Sequence, residues 1–325
     1  MIIARAPLRV SFFGGGTDYP EYFCDEGGAV LATAIDKYSY VTASPFPSQL
    51  FGYAVRVSYR RVELVSAVAD IEHAVYRACL QLCGIERDIE LHNVADLPAF
   101  TGLGSSSAFT VSLLHALHAF KGEFVKPLEL AYEAIHVERT LLRENVGCQD
   151  QVLAAVGGFN AIEFRAEDDI LVNRVPIHPK RREEFEAHLF LVFTTMRRRA
   201  SEVVAAQLKK VPMNRPTLRR MRSMVDEGWR ILTTGSEWSE FGTLLDRAWQ
   251  EKRSLDEGIS DRHIDAMYAT GREAGAWGGK LLGAGGGGFL LFFAPPERHE
   301  ALRRAFSEYP MLRIGVQAPG SQIIF

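Results

Sequence analysis

Short apolar segments separated by polar turns run through most of the chain and predict β-strands. The first covers residues 2–13, and residues 29–35 and 38–42 predict two more strands, separated by Asp36 and Lys37. The other predicted strands are a hairpin within 53–65, then 88–93, 188–195, a pair around the glycine loop in 276–293, and 312–316. Strands of this length alternate with helical segments along the whole chain.

Apolar positions spaced three or four residues apart predict the helices. The segments with this spacing are 71–83, 105–119, 128–142, 215–232, 238–252, 262–274 and 297–308. Prolines and a basic run around residues 175–182 mark a domain boundary, which divides the chain into units of residues 1–180 and 181–325. We therefore expect two domains of mixed α and β structure.

One of these helices carries a charge on its apolar face. In residues 128–142 an arc of leucine, isoleucine and alanine faces one side, and Glu138 lies in the middle of that arc. An unpaired buried carboxylate is expensive, so Glu138 needs a cation or strong hydrogen-bond donors. The alternative is an ion pair with Arg139 or Arg143, which lie on the polar side of the same helix. Glu138 is a candidate site residue.

The segment before the second helix has the composition of an anion-binding loop. Gly102 and Gly104 allow backbone angles that other residues avoid, and Ser105, Ser106 and Ser107 follow where the helix should begin. Free amides and partial positive charge at a helix N-terminus bind phosphate, and hydroxyl groups add donors or a metal ligand. A single serine N-cap would be the structural alternative, but three consecutive serines exceed what a cap requires.

Two other acidic positions have both a structural and a functional interpretation. Asp18 follows three glycines and Thr17, so it either caps a turn or accepts hydrogen bonds from sugar hydroxyls. Asp150 lies near the start of a short apolar helix, where it serves either as an N-cap or as a catalytic carboxylate near Glu138. Local sequence leaves both pairs of alternatives open.

The second half of the chain contains a basic triplet and a second glycine-rich loop. Residues 197–199 are arginines at a strand-to-helix junction, which suit either a solvated surface or a phosphorylated substrate. Gly283, Gly285 and Gly288 match a dinucleotide-binding spacing, but a strand follows them where that motif needs a helix. The Walker A pattern fails in the same region, so neither of these nucleotide-binding motifs is present there.

Composition narrows the class of protein. The chain has 325 residues, 47% hydrophobic and 24% charged, with a formal net charge of -3, which gives no electrostatic case for nucleic acid or an anionic membrane. Its longest apolar runs are too short to cross a bilayer, and the N-terminus has no secretory pattern. The four cysteines suggest no disulfide framework. These features predict a cytoplasmic protein with reduced cysteines.

Three glycine-bearing stretches, in order, resemble the motifs of the GHMP kinase superfamily of galacto-, homoserine, mevalonate and phosphomevalonate kinases. They are residues 5–18 (Arg-Ala-Pro-Leu-Arg-Val-Ser-Phe-Phe-Gly-Gly-Gly-Thr-Asp), 98–108 (Pro-Ala-Phe-Thr-Gly-Leu-Gly-Ser-Ser-Ser-Ala) and 280–288 (Lys-Leu-Leu-Gly-Ala-Gly-Gly-Gly-Gly). The resemblance implies an α+β fold of two-layer sandwiches: an N-terminal, ATP-binding domain of the ribosomal-protein-like type and a C-terminal ferredoxin-like domain, with the active site between them.

The same resemblance implies roles for individual residues. The ATP phosphates are expected on residues Gly102, Leu103, Gly104, Ser105, Ser106 and Ser107. Mg²⁺ is expected on Ser106 and Glu138, and Asp150 matches the aspartate that takes the proton of the substrate hydroxyl, with Arg9 paired near it. The sugar is expected on residues Gly15, Gly16, Thr17 and Asp18. The expected contact of a distal phosphate, Arg198, comes from the arginine triplet and not from the resemblance.

The first motif also bears on the substrate. Galactokinases have Gly-Glu-His-Thr-Asp where this chain has Gly-Gly-Gly-Thr-Asp at residues 14–18, so galactose is disfavoured. The motif looks most like that of kinases that phosphorylate the anomeric hydroxyl of D-glycero-D-manno-heptose 7-phosphate. Fucokinase-like enzymes, kinases of other sugar phosphates, a mevalonate-branch decarboxylase and a non-catalytic binding protein of the same fold are the alternatives. A homo-oligomer is compatible with the sequence.

Overall fold

The structure is a computed structural model that describes residues 1–99, 101–196 and 200–325, with the side chains of all of these except 200–202. The strands are β1 (Ile2–Phe13), β2 (Gly28–Pro45), β3 (Val55–Ser58), β4 (Val62–Val65), β5 (Ile89–Ala95), β6 (Phe159–Ala166), β7 (Asp169–Arg174), β8 (Leu189–Phe193), β9 (Gly278–Leu281), β10 (Phe289–Phe293), β11 (Met311–Leu312) and β12 (Gln322–Ile323). The α-helices are α1 (Pro20–Glu26), α2 (Ala74–Leu82), α3 (Ser105–Lys121), α4 (Pro127–Ile135), α5 (Gln149–Val156), α6 (Pro179–Ala187), α7 (Ala200–Lys209), α8 (Val211–Thr233), α9 (Trp238–Ser254), α10 (Arg262–Glu273) and α11 (His299–Ala305). Among these residues, no helix is both long and apolar enough to cross a lipid bilayer.

An eight-stranded sheet organises the N-terminal half. Its strand order is β12-β1-β2-β5-β3-β4, and β6 and β7 extend from the first half of β2. Every pair is antiparallel except β3 with β5. Helices α3, α5 and α8 all pack against β1 and β2. Residues 6–13 of β1 are all buried, because both faces of this strand are covered.

The two strands predicted at 29–35 and 38–42 are one continuous strand, β2. Its charged interruption, Asp36 and Lys37, lies within the strand, where Asp36 is exposed and the Lys37 ammonium group lies 3.0 Å from its carboxylate. Antiparallel pairing with β1 continues on both sides of this point after a register shift. The charges therefore mark an exposed section of a long strand, and the prediction of a break was wrong.

A second, four-stranded antiparallel sheet has the order β11-β8-β10-β9. The strand predicted at 312–316 is shorter than expected, because beyond β11 the chain leaves this sheet and returns to the first one. Val316 forms a bridge with Ile35, and β12 pairs with β1 through Ala4 and Arg5. The final residues described thus complete the N-terminal sheet.

The helix predicted at 128–142 changes its geometry before Glu138. Regular α-helix ends at Ile135, and residues His136–Leu141 form a π-helical turn. Wider π-turns are frequent at functional sites, because they rotate side chains away from the positions of a regular helix. Glu138 is buried as predicted, whereas Leu141 is 46% exposed.

A cluster of phenylalanines joins the two sheets. The ring of Phe241 in α9 lies 5.5 Å from Phe12 of β1, 5.0 Å from Phe185 of α6 and 4.9 Å from Phe293 of β10, measured between ring centroids. All four side chains are fully buried. Because these rings come from both halves of the chain, their packing holds the two sheets against each other.

Replacing Phe241 by Ala should lower the free energy of unfolding by about 3–5 kcal/mol, because the buried ring leaves a cavity between the sheets. Phe124→Ala is the matched control: this ring is 87% exposed, and its loss should change stability by less than about 0.5 kcal/mol. Urea unfolding followed by circular dichroism measures both. Equal effects of the two substitutions would contradict the role given to Phe241.

Candidate active site

Two glycine loops from opposite halves of the chain meet backbone to backbone. A Cβ atom on Gly102 would lie 2.4 Å from the Leu282 carbonyl oxygen, and one on Gly283 would lie 2.6 Å from the Gly102 Cα atom. Both glycines have positive φ angles of 79°. A larger residue would therefore be both strained and in collision. The Phe289 amide also donates to the Thr101 carbonyl oxygen at 3.2 Å, which ties the loops together.

Helix α3 begins directly after the first of these loops. Its N-cap is Gly104 in the left-handed conformation, and no serine side chain caps the helix. The structural alternative for the serines, an ordinary N-cap, is therefore wrong. Ser106 is exposed, whereas Ser107 is buried and its hydroxyl donates to Glu138 Oε2 at 2.9 Å. The free amides at this end of the helix can donate hydrogen bonds to a bound anion.

An arginine-aspartate pair borders the same loop. Arg9 of β1 donates from Nε and Nη2 to the two carboxylate oxygens of Asp150, each at 2.7 Å, and from Nη1 to the Gly102 carbonyl oxygen at 2.6 Å. A Cβ atom on Gly104 would lie 3.1 Å from Asp150 Oδ2. The forked pair fixes the aspartate at the edge of the predicted phosphate cradle.

Asp18 is held in a buried position next to this pair. Its carboxylate accepts from the Gly16 amide at 3.0 Å and from Gln149 Nε2 at 2.9 Å. Burial raises the pKa of Asp18 above its usual value, and the negative charge of Asp150 adds to that rise. Two of the predicted acidic residues therefore share one site.

The other residues of the first loop have different surroundings. Thr17 is fully buried, and its hydroxyl bonds to the backbone of Gly14 and Ala29, so this side chain supports the loop. Gly15 and Gly16 are half-buried. Arg198, predicted to bind a distal phosphate, lies outside the described residues.

Glu138 is surrounded by neutral hydrogen-bond donors. Besides Ser107 it accepts from Thr110 Oγ1 at 2.7 Å and from Gln151 Nε2 at 2.5 Å. Burial raises the pKa of Glu138 to about 7 in spite of these bonds. Arg139, the pairing alternative considered from the sequence, instead forms an ion pair with Glu21 at 2.7 Å.

The surroundings of Glu138 fit a small divalent cation. The described residues contain no cluster of three or more histidine, cysteine or acidic side chains that could hold a metal. Mg²⁺, however, commonly uses only one or two carboxylates together with hydroxyl, water and phosphate oxygens. Glu138 and the serine hydroxyls at the start of α3 supply such oxygens, and the buried Gln151 Oε1 atom lacks a hydrogen-bond partner among the described residues.

Helix α5 positions the charged residues of the site. Each of its first three residues forms a hydrogen bond with a different charged side chain: Gln149 binds Asp18, Asp150 binds Arg9, and Gln151 binds Glu138. The two glutamines were missed in the sequence. Both glutamines are direct neighbours of Asp150 in the sequence. Uncharged amide side chains next to a candidate catalytic carboxylate could therefore have been used to predict them as site residues.

Two buried lysines of the site were also missed. Lys280 of β9 donates to the Ser11 and Phe12 carbonyl oxygens at 2.9 and 3.0 Å, and Lys252 of α9 donates to the Gly283 carbonyl oxygen. Lys252 continues the apolar stripe of Leu245 and Ala248 on its helix. Glu138 was recognised in the sequence as a charged residue within an apolar stripe. The same criterion applied to α9 would have predicted Lys252.

This arrangement can hold a polyphosphate and remove a proton from a neighbouring hydroxyl group. The helix end and glycine loops supply amides for phosphate, and Arg9 and Lys252 supply positive charge. Asp150 is a carboxylate fixed at the border of that cradle, and Asp18 faces the same region. Such a set of groups suits transfer of a phosphoryl group to an alcohol.

Comparison with known proteins agrees with this chemistry. The family model "GHMP kinases N terminal domain" matches residues 61–158 and the model "GHMP kinases C terminal" matches residues 232–310, together more than half of the chain. A D-glycero-α-D-manno-heptose 7-phosphate kinase of Campylobacter jejuni is 29% identical over 94% of this chain and 92% of its own length.

Two further similarities extend over almost the whole chain. An L-fucokinase/L-fucose-1-P guanylyltransferase of Bacteroides fragilis is 25% identical over 95% of this chain, which spans 36% of that longer protein. The crystal structure of a D-glycero-D-manno-heptose 1-phosphate kinase from Bacteroides thetaiotaomicron has a TM-score of 0.82 and 23% identity, covering 100% of this chain and 99% of that one. This last similarity shows the fold.

The raised pKa of Glu138 predicts a pH-dependent stability in the absence of metal. Between the ordinary glutamate pKa of 4.5 and the folded value of about 7, the unfolded chain loses this proton first. Stability of the wild type should therefore fall as pH rises through this window, by up to roughly 3 kcal/mol. Glu138→Gln, which has no proton to lose here, should not show this fall.

Urea unfolding at pH 5 and pH 8 in EDTA measures the difference. Glu300→Gln is the matched control, because this carboxylate is 61% exposed and its removal tests only the loss of an acidic side chain. Parallel pH dependence of the wild type and Glu138→Gln would show that the buried carboxylate does not titrate in this range.

Proposed function

The chain belongs to the GHMP kinase superfamily and is a phosphotransferase with an alcohol group as acceptor, and from this premise we propose that it transfers the γ-phosphoryl group of ATP to the anomeric C1 hydroxyl of D-glycero-D-manno-heptose 7-phosphate. The similarity to the Campylobacter jejuni kinase over almost the full length of both chains supports the substrate. The forked Arg9–Asp150 pair at the edge of the glycine loops is the observation that carries the chemistry.

Asp150 is the proposed base. During transfer the bond between the γ-phosphorus and the bridging oxygen breaks, a bond from phosphorus to the C1 oxygen forms, and the hydroxyl proton goes to the Asp150 carboxylate. Arg9 keeps both carboxylate oxygens oriented, since it binds each of them at 2.7 Å. Holding the base and the phosphate in fixed positions accounts for much of the rate in reactions of this type.

The nucleotide phosphates are proposed to bind at the amides from Gly102 to Ser107. This region offers the N-terminal end of α3, where the first backbone amides have no partner within the helix. Ser106 and Glu138, with Ser107 beside them, would hold Mg²⁺. When bound, the ion would neutralise negative charge on the phosphate oxygens.

The sugar is proposed to bind between the first loop and α5. Ser11 Oγ and Gln149 Oε1 are buried atoms without a hydrogen-bond partner among the described residues. A Cβ atom on Gly15 would lie 3.6 Å from Ser11 Oγ and 3.9 Å from the amide nitrogen of Gln149. Unsatisfied buried acceptors are costly, and sugar hydroxyls would satisfy them. Asp18, which already binds Gln149, would accept from another hydroxyl. The contact for the distal phosphate, proposed at Arg198, lies outside the described residues.

The 1,7-bisphosphate formed in this way would serve as a precursor of nucleotide-activated heptose for surface polysaccharide. A phosphate on the anomeric carbon is the group that a later nucleotidyl transfer requires. We place the reaction in the cytoplasm, where ATP is made available to biosynthetic enzymes. A fucokinase-like activity is the second candidate, because the Bacteroides fragilis relative matches over 95% of this chain.

Asp150→Asn should lower kcat by roughly 10³-fold, because an amide cannot take the hydroxyl proton. The Kd for ATP should stay within about threefold of wild type, since Asp150 acts on the acceptor. Steady-state ADP release and ATP titration calorimetry measure the two constants. Asp226→Asn, a change at a carboxylate that is 72% exposed, is the control. An Asp150→Asn enzyme with wild-type kcat would remove Asp150 from the role of base.

The substrate assignment predicts that the sugar must carry its own phosphate. Heptose 7-phosphate should give kcat/KM at least about 100-fold above that of the unphosphorylated heptose, L-fucose and galactose, because a phosphate contact contributes several kcal/mol. ADP release over this panel and ³¹P NMR of the product test the assignment. Preference for L-fucose would favour the second candidate, and a product without an anomeric phosphate would contradict transfer to C1.

A further inference from the structure

Lys252 brings a positive charge from the C-terminal half into the active site. It lies near the end of α9, is 7% exposed, and donates through Nζ to the Gly283 carbonyl oxygen. Gly283 contacts Gly102, whose carbonyl oxygen accepts from Arg9. Arg9 thus binds the backbone of one of the two abutting glycine loops, and Lys252 binds the backbone of the other.

The ammonium group of Lys252 has donors to spare. A lysine has three N–H donors, and within the described part of the chain Lys252 Nζ has one acceptor, the Gly283 carbonyl oxygen. Lys280, the neighbouring buried lysine, instead binds two carbonyl oxygens of β1 and has a structural role. An ammonium group buried with free donors is expensive unless an anion completes its contacts.

Arg9 is oriented by partners within the protein. Its Nε and Nη2 atoms bind Asp150 and Nη1 binds Gly102, so three of its five N–H donors hold the base and the loop. A further cation at the junction of the loops, in addition to the Mg²⁺ proposed at Glu138, would stabilise negative charge that develops on the transferring group. Lys252 is placed at that junction.

We propose that the Lys252 ammonium group binds the oxygens of the phosphoryl group as it passes from ATP to the acceptor hydroxyl. The inference deepens the proposed function and depends on it for the identity of the reaction. Lys252 keeps all three protons during the step: the acceptor proton goes to Asp150, and the electrons of the broken phosphorus–oxygen bond remain on ADP. Its contribution is to stabilise negative charge in the transition state.

The surroundings of Lys252 add a pH signature. Among the residues that the structure describes, four charged groups face it: Arg9 from β1, Asp18 from the first loop, Asp150 from α5 and Lys280 from β9. Burial, together with the charge of Arg9, lowers the pKa of Lys252 to about 8, although the two aspartates oppose this. Because the protonated form is the active one, kcat/KM should fall as pH rises through about 8.

Three variants test the proposal. Lys252→Met should lower kcat by roughly 10²–10³-fold, the range found for loss of one electrostatic stabiliser, with the Kd for ADP within about threefold of wild type. Lys252→Arg should recover at least about tenfold of the lost rate, and its alkaline limb should move above pH 9.5, since arginine stays charged. Arg253→Met is the control: the adjacent guanidinium binds Asp265 at 2.7 Å and its loss should leave kcat unchanged.

Binding of a transition-state analogue gives a readout independent of the sugar. ADP with aluminium fluoride and Mg²⁺ should bind Lys252→Met at least about 30-fold more weakly than wild type, whereas ADP alone should not distinguish them. Thermal unfolding of each variant separates this effect from loss of folding. If Lys252→Met fails to fold, the arginine variant and its pH profile still decide the matter.

The outcomes separate this inference from the proposed function. Wild-type kcat in Lys252→Met, equal affinity of both proteins for the analogue, or an alkaline limb that stays near pH 8 in Lys252→Arg would each overturn the role of Lys252. Absence of phosphoryl transfer to every sugar by the wild type would overturn the proposed function instead, and the analogue titration would still test the contact of Lys252.

Discussion

The contact between the two glycine loops is the constraint on which the rest of the site depends. Gly102 and Gly283 approach so closely that neither position has room for a Cβ atom. Arg9 binds the Gly102 carbonyl oxygen and Lys252 binds the Gly283 carbonyl oxygen, so the loop contact brings these two cations to one place. The phenylalanine cluster around Phe241 joins the two sheets in the core and so supports this contact.

Electrostatic balance within a small buried volume follows from this packing. Arg9 neutralises Asp150 directly, whereas Asp18 and Glu138 rely on amides, hydroxyls and backbone donors. Neutral donors lower the cost of a buried carboxylate without cancelling its charge, so both of these acids keep a raised pKa. A cation or a substrate hydroxyl group that binds to either of these carboxylates would stabilise its negative charge.

The sequence alone predicted most of the fold and singled out several of the residues that the structure brings together at the candidate site. The glycines that precede the three serines, and the position of Glu138 within an apolar arc, can be recognised from the local sequence without a structure. Two kinds of feature escaped prediction because they depend on tertiary contact. The exposed charges at Asp36 made one long strand resemble two, and the choice of Ser107 as the partner of Glu138 depends on a π-turn that apolar spacing does not predict. The position of Lys252 in an apolar stripe could have been recognised from the sequence. Its contact with the glycine loop at Gly283 could be seen only in the structure.

The pairing of β12 with β1 has a consequence for biosynthesis. Arg9 lies on β1, and the neighbouring edge strand β12 pairs with β1 at Ala4 and Ile323. Because nearly the whole chain separates these two residues, this edge of β1 has no partner until β12 has been translated. Until then β1 presents unpaired backbone groups on one side, a surface to which other extended chains can add. Closing so long a loop is also slow, because many residues must be ordered first. A ribosome-bound nascent chain of this protein would thus be a natural client for a chaperone that covers strand edges.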